Sequence, residues 1–138
     1  MTDIESAVRG LYEAWNVRDL PSWVAAFTAA ATWTNIPTGE VFTGPAGMEQ
    51  NYVNWNIPFP DGQCEEITVL VGDDFAVGQF MARGVHKGPM STEDGELAAT
   101  GKHLSVPFCD VHRFSGGLIT STVRYWDQAS VARDLGLR

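Results

Sequence analysis

Two ionisable residues stand among apolar ones near the end of the chain, in a segment that alternates as a β-strand does. From Leu104 to Phe114, the residues that would share one strand face include Asp110 and His112 beside leucine, valine and phenylalanine. Burying a carboxylate in such surroundings costs several kcal/mol unless it binds a partner or takes up a proton. Asp110 and His112 are therefore candidates for proton-transfer chemistry.

A second strand-like segment follows a Ser-Gly-Gly turn and brings a cation to the same region. Closing this hairpin through all three turn residues predicts Asp110 opposite Thr122 and diagonal to Arg124. Arg124 would then polarise a substrate oxygen or pair with Asp110. Two interpretations of Asp110 stay open: a general acid or base, or one half of a structural ion pair. His112 lies near the turn, so a half-exposed place at the rim is favoured over catalysis.

Six aromatic residues are candidates to line a flat pocket for polycyclic or terpenoid rings: Trp15, Trp33, Tyr52, Trp55, Phe108 and Trp126. Trp15 and Trp126 are the strongest of these, although aromatic residues at such spacing are most often plain core. Asn35 is expected to hydrogen-bond a substrate carbonyl or hydroxyl, or else to cap the turn before Pro37. His86 would be catalytic if its ring points inward, and a structural place near a loop is favoured.

Composition limits the classes of protein. The chain has 138 residues, 44% of them hydrophobic, which is typical of a single domain over residues 1–138. A net charge of −8 argues against nucleic acid or an anionic membrane as partner and favours a hydrophobic small molecule. No signal-like or membrane-spanning stretch is present, so we expect a cytoplasmic protein. Cys64 and Cys109 fit free thiols, and no metal is expected.

Hydrophobic periodicity predicts helices before strands, and the first helix carries an apolar stripe of Ile4, Val8, Leu11, Tyr12 and Trp15. The expected helices cover 3–16, a short segment from Leu20, a segment from about Pro45 to Pro58, and 130–137; the expected strands cover 31–36, 65–72, 75–87, 102–114 and 118–127. A polar loop is expected from Gly88 to Gly101. This segregation predicts an α+β fold, in which a curved, mostly antiparallel sheet carries about three N-terminal helices on its concave face and a pocket lies between the layers.

The order of motifs resembles a known family. The matching segments are Tyr12-Glu-Ala-Trp-Asn-Val-Arg-Asp-Leu20, Thr43-Gly-Pro-Ala-Gly-Met48, Phe59-Pro-Asp61, Val71-Gly-Asp-Asp-Phe-Ala-Val77, Gly84-Val-His-Lys-Gly88, Thr100-Gly-Lys102, Asp110-Val-His-Arg-Phe114, and Tyr125-Trp-Asp-Gln128 leading to Asp134-Leu-Gly-Leu137. Together they resemble the SnoaL-like polyketide cyclases of the nuclear transport factor 2-like superfamily, which also holds ketosteroid isomerases, scytalone dehydratase and limonene epoxide hydrolase. The resemblance implies a cone-shaped, cystatin-like α+β barrel, a homodimer through the outer sheet face, and no metal or organic cofactor.

The resemblance carries over only in part at the level of residues. Asp110 matches the second acid of the ketosteroid isomerases, which donates a hydrogen bond while protonated. Asn35 stands where those isomerases have their general base, so that form of the chemistry is disfavoured. Arg124 replaces an acid of the epoxide hydrolases and cyclases, and Asn16 replaces the dehydratase carboxylate. His86 keeps the family pattern.

Two classes of function remain open at this point. The first is a cofactor-independent cyclase, isomerase or dehydratase that acts by acid/base chemistry on a hydrophobic molecule such as a polyketide or terpenoid. The second is a non-catalytic binding protein of the same fold, suggested by the missing carboxylates at positions 16, 35 and 124. Epoxide hydrolysis is the alternative reaction, and it requires a water-activating carboxylate.

Overall fold

Helices form where apolar residues recur at helical spacing. In the computed structural model, which describes residues 3–92 and 94–137, they are α1 (Ile4–Asn16), α2 (Leu20–Ala25), α3 (Gly44–Asn56) and α4 (Gln128–Asp134). Asp19 accepts a hydrogen bond from the Ser22 amide at the start of α2, and Asp127 accepts one from the Ala129 amide at the start of α4. The cap at Asp127 starts the last helix two residues before the predicted position.

The strands, in which buried and exposed residues alternate, form one large curved sheet and one small two-stranded ribbon. The strands are β1 (Phe27–Asn35), β2 (Glu40–Thr43), β3 (Gln63–Val71), β4 (Phe75–Val85), β5 (Met90–Thr92), β6 (Gly95–Leu97), β7 (His103–Ser115) and β8 (Leu118–Trp126). In the described residues, the large sheet has the order β2-β1-β8-β7-β4-β3, and β5 pairs with β6. The architecture is the predicted mixed α+β type.

Three details of the strand prediction are wrong. The first strand starts at Phe27 rather than at residue 31, and it pairs with β8 in parallel while the other neighbours are antiparallel. The chain then turns back at Gly39, which has a φ of 75°, and forms the unpredicted strand β2. The expected polar loop after Gly88 contains the short β5–β6 ribbon, whose alternation is too brief to be recognised.

The alternation of β7 is confirmed. Its inward residues are Leu104, Val106, Phe108, Asp110, His112 and Phe114, and all of them are buried. The helical layer covers this face: α1 packs on β3 and β4, and α3 packs on β1. Gly78 of β4 lets α1 come close, because a Cβ at this position would overlap the Tyr12 hydroxyl. The described part of the chain contains no helix that is long and apolar enough to cross a bilayer.

Candidate active site

A buried ion pair joins β7 to β8. The hairpin loop consists of two residues, Gly116 and Gly117, with Ser115 opposite Leu118, and a bulge near Thr120 then shifts the register by one residue. Asp110 therefore lies directly opposite Arg124, and the predicted diagonal arrangement is wrong. Arg124 donates from Nε to Oδ1 of Asp110 at 2.7 Å and from Nη2 to Oδ2 at 2.9 Å, a bidentate arrangement.

Both members of this pair are ionised. Burial alone raises the pKa of Asp110, but the charge and hydrogen bonds of Arg124 outweigh burial and hold that pKa below its ordinary value. Burial likewise lowers the pKa of Arg124, and the Asp110 carboxylate more than restores it. The structure therefore contains the ion pair, and Asp110 within it is a deprotonated carboxylate that can accept a proton.

The Tyr12 hydroxyl connects this pair to His112. Its oxygen lies 2.9 Å from Oδ2 of Asp110 and 3.0 Å from Nε2 of His112. An ionised carboxylate only accepts hydrogen bonds, so the single hydroxyl proton of Tyr12 goes to Asp110. This assigns the proton of His112 to Nε2, which donates to Tyr12, while Nδ1 accepts from the Thr122 hydroxyl at 2.7 Å. The result is a continuous chain of hydrogen bonds from Thr122 to Arg124.

His112 is buried, contrary to the half-exposed place that the sequence favoured. Tyr12 of α1 and Trp33 of β1 lie against its ring, with ring centroids 6.0 and 6.4 Å away. These neighbours come from distant parts of the chain, so position along the hairpin did not reveal them. Burial lowers the pKa of His112 to about 4, against the opposing attraction of Asp110. The imidazole is therefore neutral at pH 7.

A cavity of about 60 Å³ lies between the helices and the sheet. Its lining is mainly aromatic and comprises Tyr12, Trp15, Trp23, Asn51, Tyr52, Trp55, Phe59, Gly62, Gln63, Cys64, Phe80, Ala82, Arg83, Leu104, Phe108 and Arg124. Four of the predicted pocket residues, Trp15, Tyr52, Trp55 and Phe108, are in this set. Among the described residues, no aspartate, glutamate or histidine lines the cavity, so Asp110 and His112 contact it only through Tyr12 and Arg124.

Arg124 is the buried cation of this cavity. Its guanidinium lies over the rings of Trp33, Phe108 and Phe80, 4.6, 5.3 and 5.5 Å from their centroids. Asp110 takes Nε and Nη2, and within the described residues no group accepts a hydrogen bond from Nη1. Arg124 is thus fixed in place while one nitrogen remains available to a ligand oxygen.

Three predicted pocket residues, Trp33, Trp126 and Asn35, lie outside the cavity lining. Trp126 stacks on Phe108 at a centroid distance of 5.1 Å and an interplanar angle of 11°, so it packs beside this wall residue on the same face of the sheet. Asn35 is buried, accepts a hydrogen bond from Trp33 Nε1 at 2.9 Å and donates to Glu40 at 3.4 Å. It therefore joins β1 to β2, and its side chain does not cap the turn.

His86 lies at the end of β4, away from the cavity lining. Its Nδ1 accepts a hydrogen bond from the Thr100 amide at 3.1 Å, and its ring packs against Phe59 at 5.6 Å. Burial lowers the pKa of His86, which favours the neutral ring. This position matches the structural interpretation that the sequence favoured.

Tyr12 and Asn51 are polar cavity residues that the sequence analysis did not name as site candidates. The sequence pattern places Tyr12 in the apolar stripe of the first helix. Nothing in that pattern indicates that the Tyr12 hydroxyl reaches the sheet. Asn51 did carry a signal, because it lies three residues after Met48 and four before Trp55, on the apolar face of α3. Within residues 3–92 and 94–137, neither its Oδ1 nor its Nδ2 has a hydrogen-bond partner, although both are buried.

The cavity offers little nucleophilic or metal chemistry. Burial raises the pKa of the Cys64 thiol to about 12, so this wall residue stays protonated at neutral pH and is a poor nucleophile. Within residues 3–92 and 94–137, no cluster of three histidine, cysteine, aspartate or glutamate side chains has the geometry to hold a metal ion.

A curved α+β sheet that encloses an aromatic cavity with a fixed guanidinium defines a small-molecule-binding class of protein. Residues 8–122 match the SnoaL-like domain, and the chain belongs to this family. No curated protein matches the chain.

Solved structures show the same fold. A candidate SnoaL-like polyketide cyclase from Jannaschia sp. CCS1 is 16% identical, with 98% of this chain and 92% of that chain covered and a TM-score of 0.85. A candidate polyketide cyclase from Pseudomonas putida KT2440 is 18% identical, with 97% and 98% covered and a TM-score of 0.84. A protein of ketosteroid isomerase-like fold from Catenulispora acidiphila DSM 44928, in complex with trimethylamine, is 19% identical, with 96% and 93% covered and a TM-score of 0.80. At such identities the similarity establishes the fold alone.

Proposed function

We propose that this protein is a cofactor-free SnoaL-like enzyme that isomerises or cyclises a small, largely apolar carbonyl compound through an enolate. The observation that carries this proposal is Arg124, a cation fixed by Asp110 with Nη1 free in an aromatic cavity. A donor that is already oriented in a site of low dielectric stabilises negative charge as it develops on an oxygen. Enolate formation from a ketone develops such a charge.

The ion pair favours a substrate that is neutral before it reacts. Asp110 already neutralises Arg124, so an anionic ligand would add an uncompensated charge to a buried site. The cavity of about 60 Å³ is smaller than the ~300–1,000 Å³ typical of pockets for drug-sized ligands. Both observations support a neutral, single-ring substrate, and larger polyketide or terpenoid rings would require the helices to move apart.

Tyr12 supplies a route for the substrate proton. Its oxygen has a second lone pair beyond the one that accepts from His112, and its own proton already points at Asp110. A proton leaving the substrate binds to the Tyr12 oxygen as the Tyr12 proton passes to Asp110. The enolate then faces Arg124, Tyr12 remains neutral and Asp110 is protonated. Return of the proton from Asp110 through Tyr12 to another atom isomerises the substrate. Attack of the enolate on a second carbonyl instead forms a ring, and the new alkoxide oxygen takes the proton back by the same route.

The pKa of Tyr12 fits a relay rather than a free base. Burial and the neighbouring Asp110 carboxylate raise this pKa well above its ordinary value, so a phenolate does not accumulate. In a relay the hydroxyl gains one proton as it loses another and stays neutral throughout. His112 has a positioning role here, because its Nε2–H holds the Tyr12 oxygen.

A binding protein is the second candidate, and one observation favours it. No carboxylate lines the cavity within the described residues, so direct proton abstraction by an acid side chain has no group to perform it. The same observation disfavours epoxide hydrolysis, which needs a carboxylate in contact with water in the cavity.

Exchange of α-hydrogens for deuterium tests enzyme against binder. Acetophenone in deuterated buffer, followed by mass spectrometry, reports enolate formation directly. We expect the wild-type protein to accelerate exchange, and we expect Tyr12→Phe and Arg124→Lys each to reduce that acceleration by about 10²-fold or more. Thr34→Val, on β1 and outside the cavity lining, is the matched control and should exchange as the wild type does. Acetophenone that binds without faster exchange would leave the binding protein as the surviving candidate.

A further inference from the structure

Asn51 is the most unusual polar residue of the cavity. It is 1% exposed, it belongs to the cavity wall, and both polar atoms of its amide lack a partner among the residues that the structure describes. Leaving a buried donor and acceptor unsatisfied costs free energy in the empty protein. A leucine, which branches at the same carbon and carries methyl groups in place of the amide atoms, would suit the apolar face that Met48 and Trp55 mark on α3. The amide is therefore a cost to folding that no contact within the described residues offsets.

The atoms of Asn51 define what would satisfy it. Nδ2 donates hydrogen bonds and Oδ1 accepts them, side by side in one plane. The matching ligand edge also has a donor next to an acceptor, as in a carboxamide or a lactam. A simple ketone or an ether offers only the acceptor and leaves Oδ1 unpaired.

We propose that Asn51 determines specificity by pairing with a neutral donor–acceptor edge of the substrate. This inference deepens the proposed function and rests on it: Arg124 of the sheet takes the carbonyl that reacts, while Asn51 of the helical layer recognises the amide-like edge. Sites that hydrogen-bond a substrate in this way reject analogues that lack the group, because the protein atoms are then left unpaired.

Two isosteric probes test the pairing. Benzamide presents a donor beside its carbonyl oxygen, whereas acetophenone has a methyl group in place of the amine. Dissociation constants of both are measured for the wild type, Asn51→Leu and Asn54→Leu, by tryptophan fluorescence of the cavity wall. Asn54 lies on the same helix but is exposed, so it provides a matched control.

We expect Asn51→Leu to lower the affinity for benzamide relative to acetophenone about tenfold, the loss that one to two hydrogen bonds would cause. Asn54→Leu should leave the ratio unchanged. We also expect Asn51→Leu to unfold at a higher temperature than the wild type in the absence of ligand. An unchanged ratio, or no effect of millimolar benzamide on the wild type, would overturn the proposal. So would a lower unfolding temperature, since it would show that the amide serves the fold.

These outcomes are separable from those of the exchange assay. An Asn51-dependent preference without accelerated deuterium exchange would reject the enzyme and retain the specificity residue. Accelerated exchange with an unchanged ratio of the two dissociation constants would retain the enzyme and reject Asn51 as the specificity residue.

Discussion

The carboxylate of Asp110 accepts hydrogen bonds from Arg124 through both oxygens and from Tyr12 through one of them. These contacts keep it ionised and separate it from the cavity. Tyr12 and Arg124 both contact the carboxylate and the cavity, and the Tyr12 hydroxyl is the group of the two that can pass a proton on, so proton transfer to Asp110 depends on Tyr12. Hydrogen bonds thus link Arg124, Asp110, Tyr12 and His112, and each of these groups sets the protonation state of its neighbour.

His112 makes stability depend on pH. Its pKa is about 4 in the folded protein and 6.5 for an ordinary histidine, so between these values the unfolded chain binds a proton that the folded protein excludes. We expect this histidine to lower the free energy of unfolding as the pH falls from 6.5 to 4, by up to about 1.4 kcal/mol per pH unit. Urea unfolding at a series of pH values measures this slope.

His112→Gln is the matched control for that experiment. A glutamine side chain still offers an N–H to Tyr12 but does not titrate in this range. The difference in slope between the wild type and this variant isolates the histidine from the acidic residues. Identical slopes would mean that His112 is not held neutral by burial.

The β7–β8 hairpin shows what an element contributes to the site. Its two-residue loop requires positive φ at Gly116 and Gly117, 59° and 82°, and the bulge near Thr120 then brings Ile119 and Thr122 to the same buried side. Without the bulge, the register would place a different residue opposite Asp110. The bidentate pair is therefore a consequence of hairpin geometry.

Contact between α1 and the sheet depends on Gly78. We expect Gly78→Ala to lower the free energy of unfolding by about 1–3 kcal/mol, because the added methyl group would overlap the Tyr12 hydroxyl. Gly10→Ala, at an exposed position of the same helix with open space around it, should instead raise that free energy by about 0.5–1 kcal/mol. Chemical unfolding of both variants measures the two changes.

Combining Gly78→Ala with Tyr12→Phe tests whether overlap with the Tyr12 hydroxyl causes the loss of stability in Gly78→Ala. Removing the hydroxyl relieves part of the overlap, so the double variant should be more stable than the sum of the two single changes predicts. Strict additivity would show that the two residues do not compete for space.

At the scale of the whole molecule, the outer sheet face presents apolar side chains away from the helices. Val77, Val111 and Val123 stand in register across the three central strands and are partly exposed. Tyr125, on the same face, is 44% exposed. Together with the family resemblance, this row supports pairing of two copies through the outer face of the sheet.

Sedimentation over a range of concentrations tests this pairing. We expect the wild type to dimerise at micromolar concentration and Val111→Arg to sediment as a monomer, because the new charge would be buried at the interface. Val41→Arg, the same change at an exposed site on β2, should keep the dimer. A wild type that sediments as a monomer throughout would reject the pairing.

Helices and strands could be predicted where the hydrophobic periodicity extends over many residues. The pattern from Leu104 to Phe114 predicted the inward face of β7 correctly, and the stripe at Val8, Leu11 and Trp15 predicted α1. The β2 and β5–β6 strands were missed because three or four residues carry too little periodicity to distinguish a strand from a loop. The aromatic cavity was predicted in kind, although Trp126 and Asn35 lie outside its lining.

Within the sequence, alternation places an acid, a histidine and an arginine on the apolar side of one hairpin, because side-chain direction in a strand follows from alternation. The role of each group depends on the folded chain. The register came from a bulge within the hairpin, the burial of His112 from Trp33 and α1, and the separation of Asp110 from the cavity by Tyr12 from helix packing. The contacts that Trp33 and Tyr12 make with the hairpin join residues about 80 to 100 positions apart, a range at which local patterns carry no information.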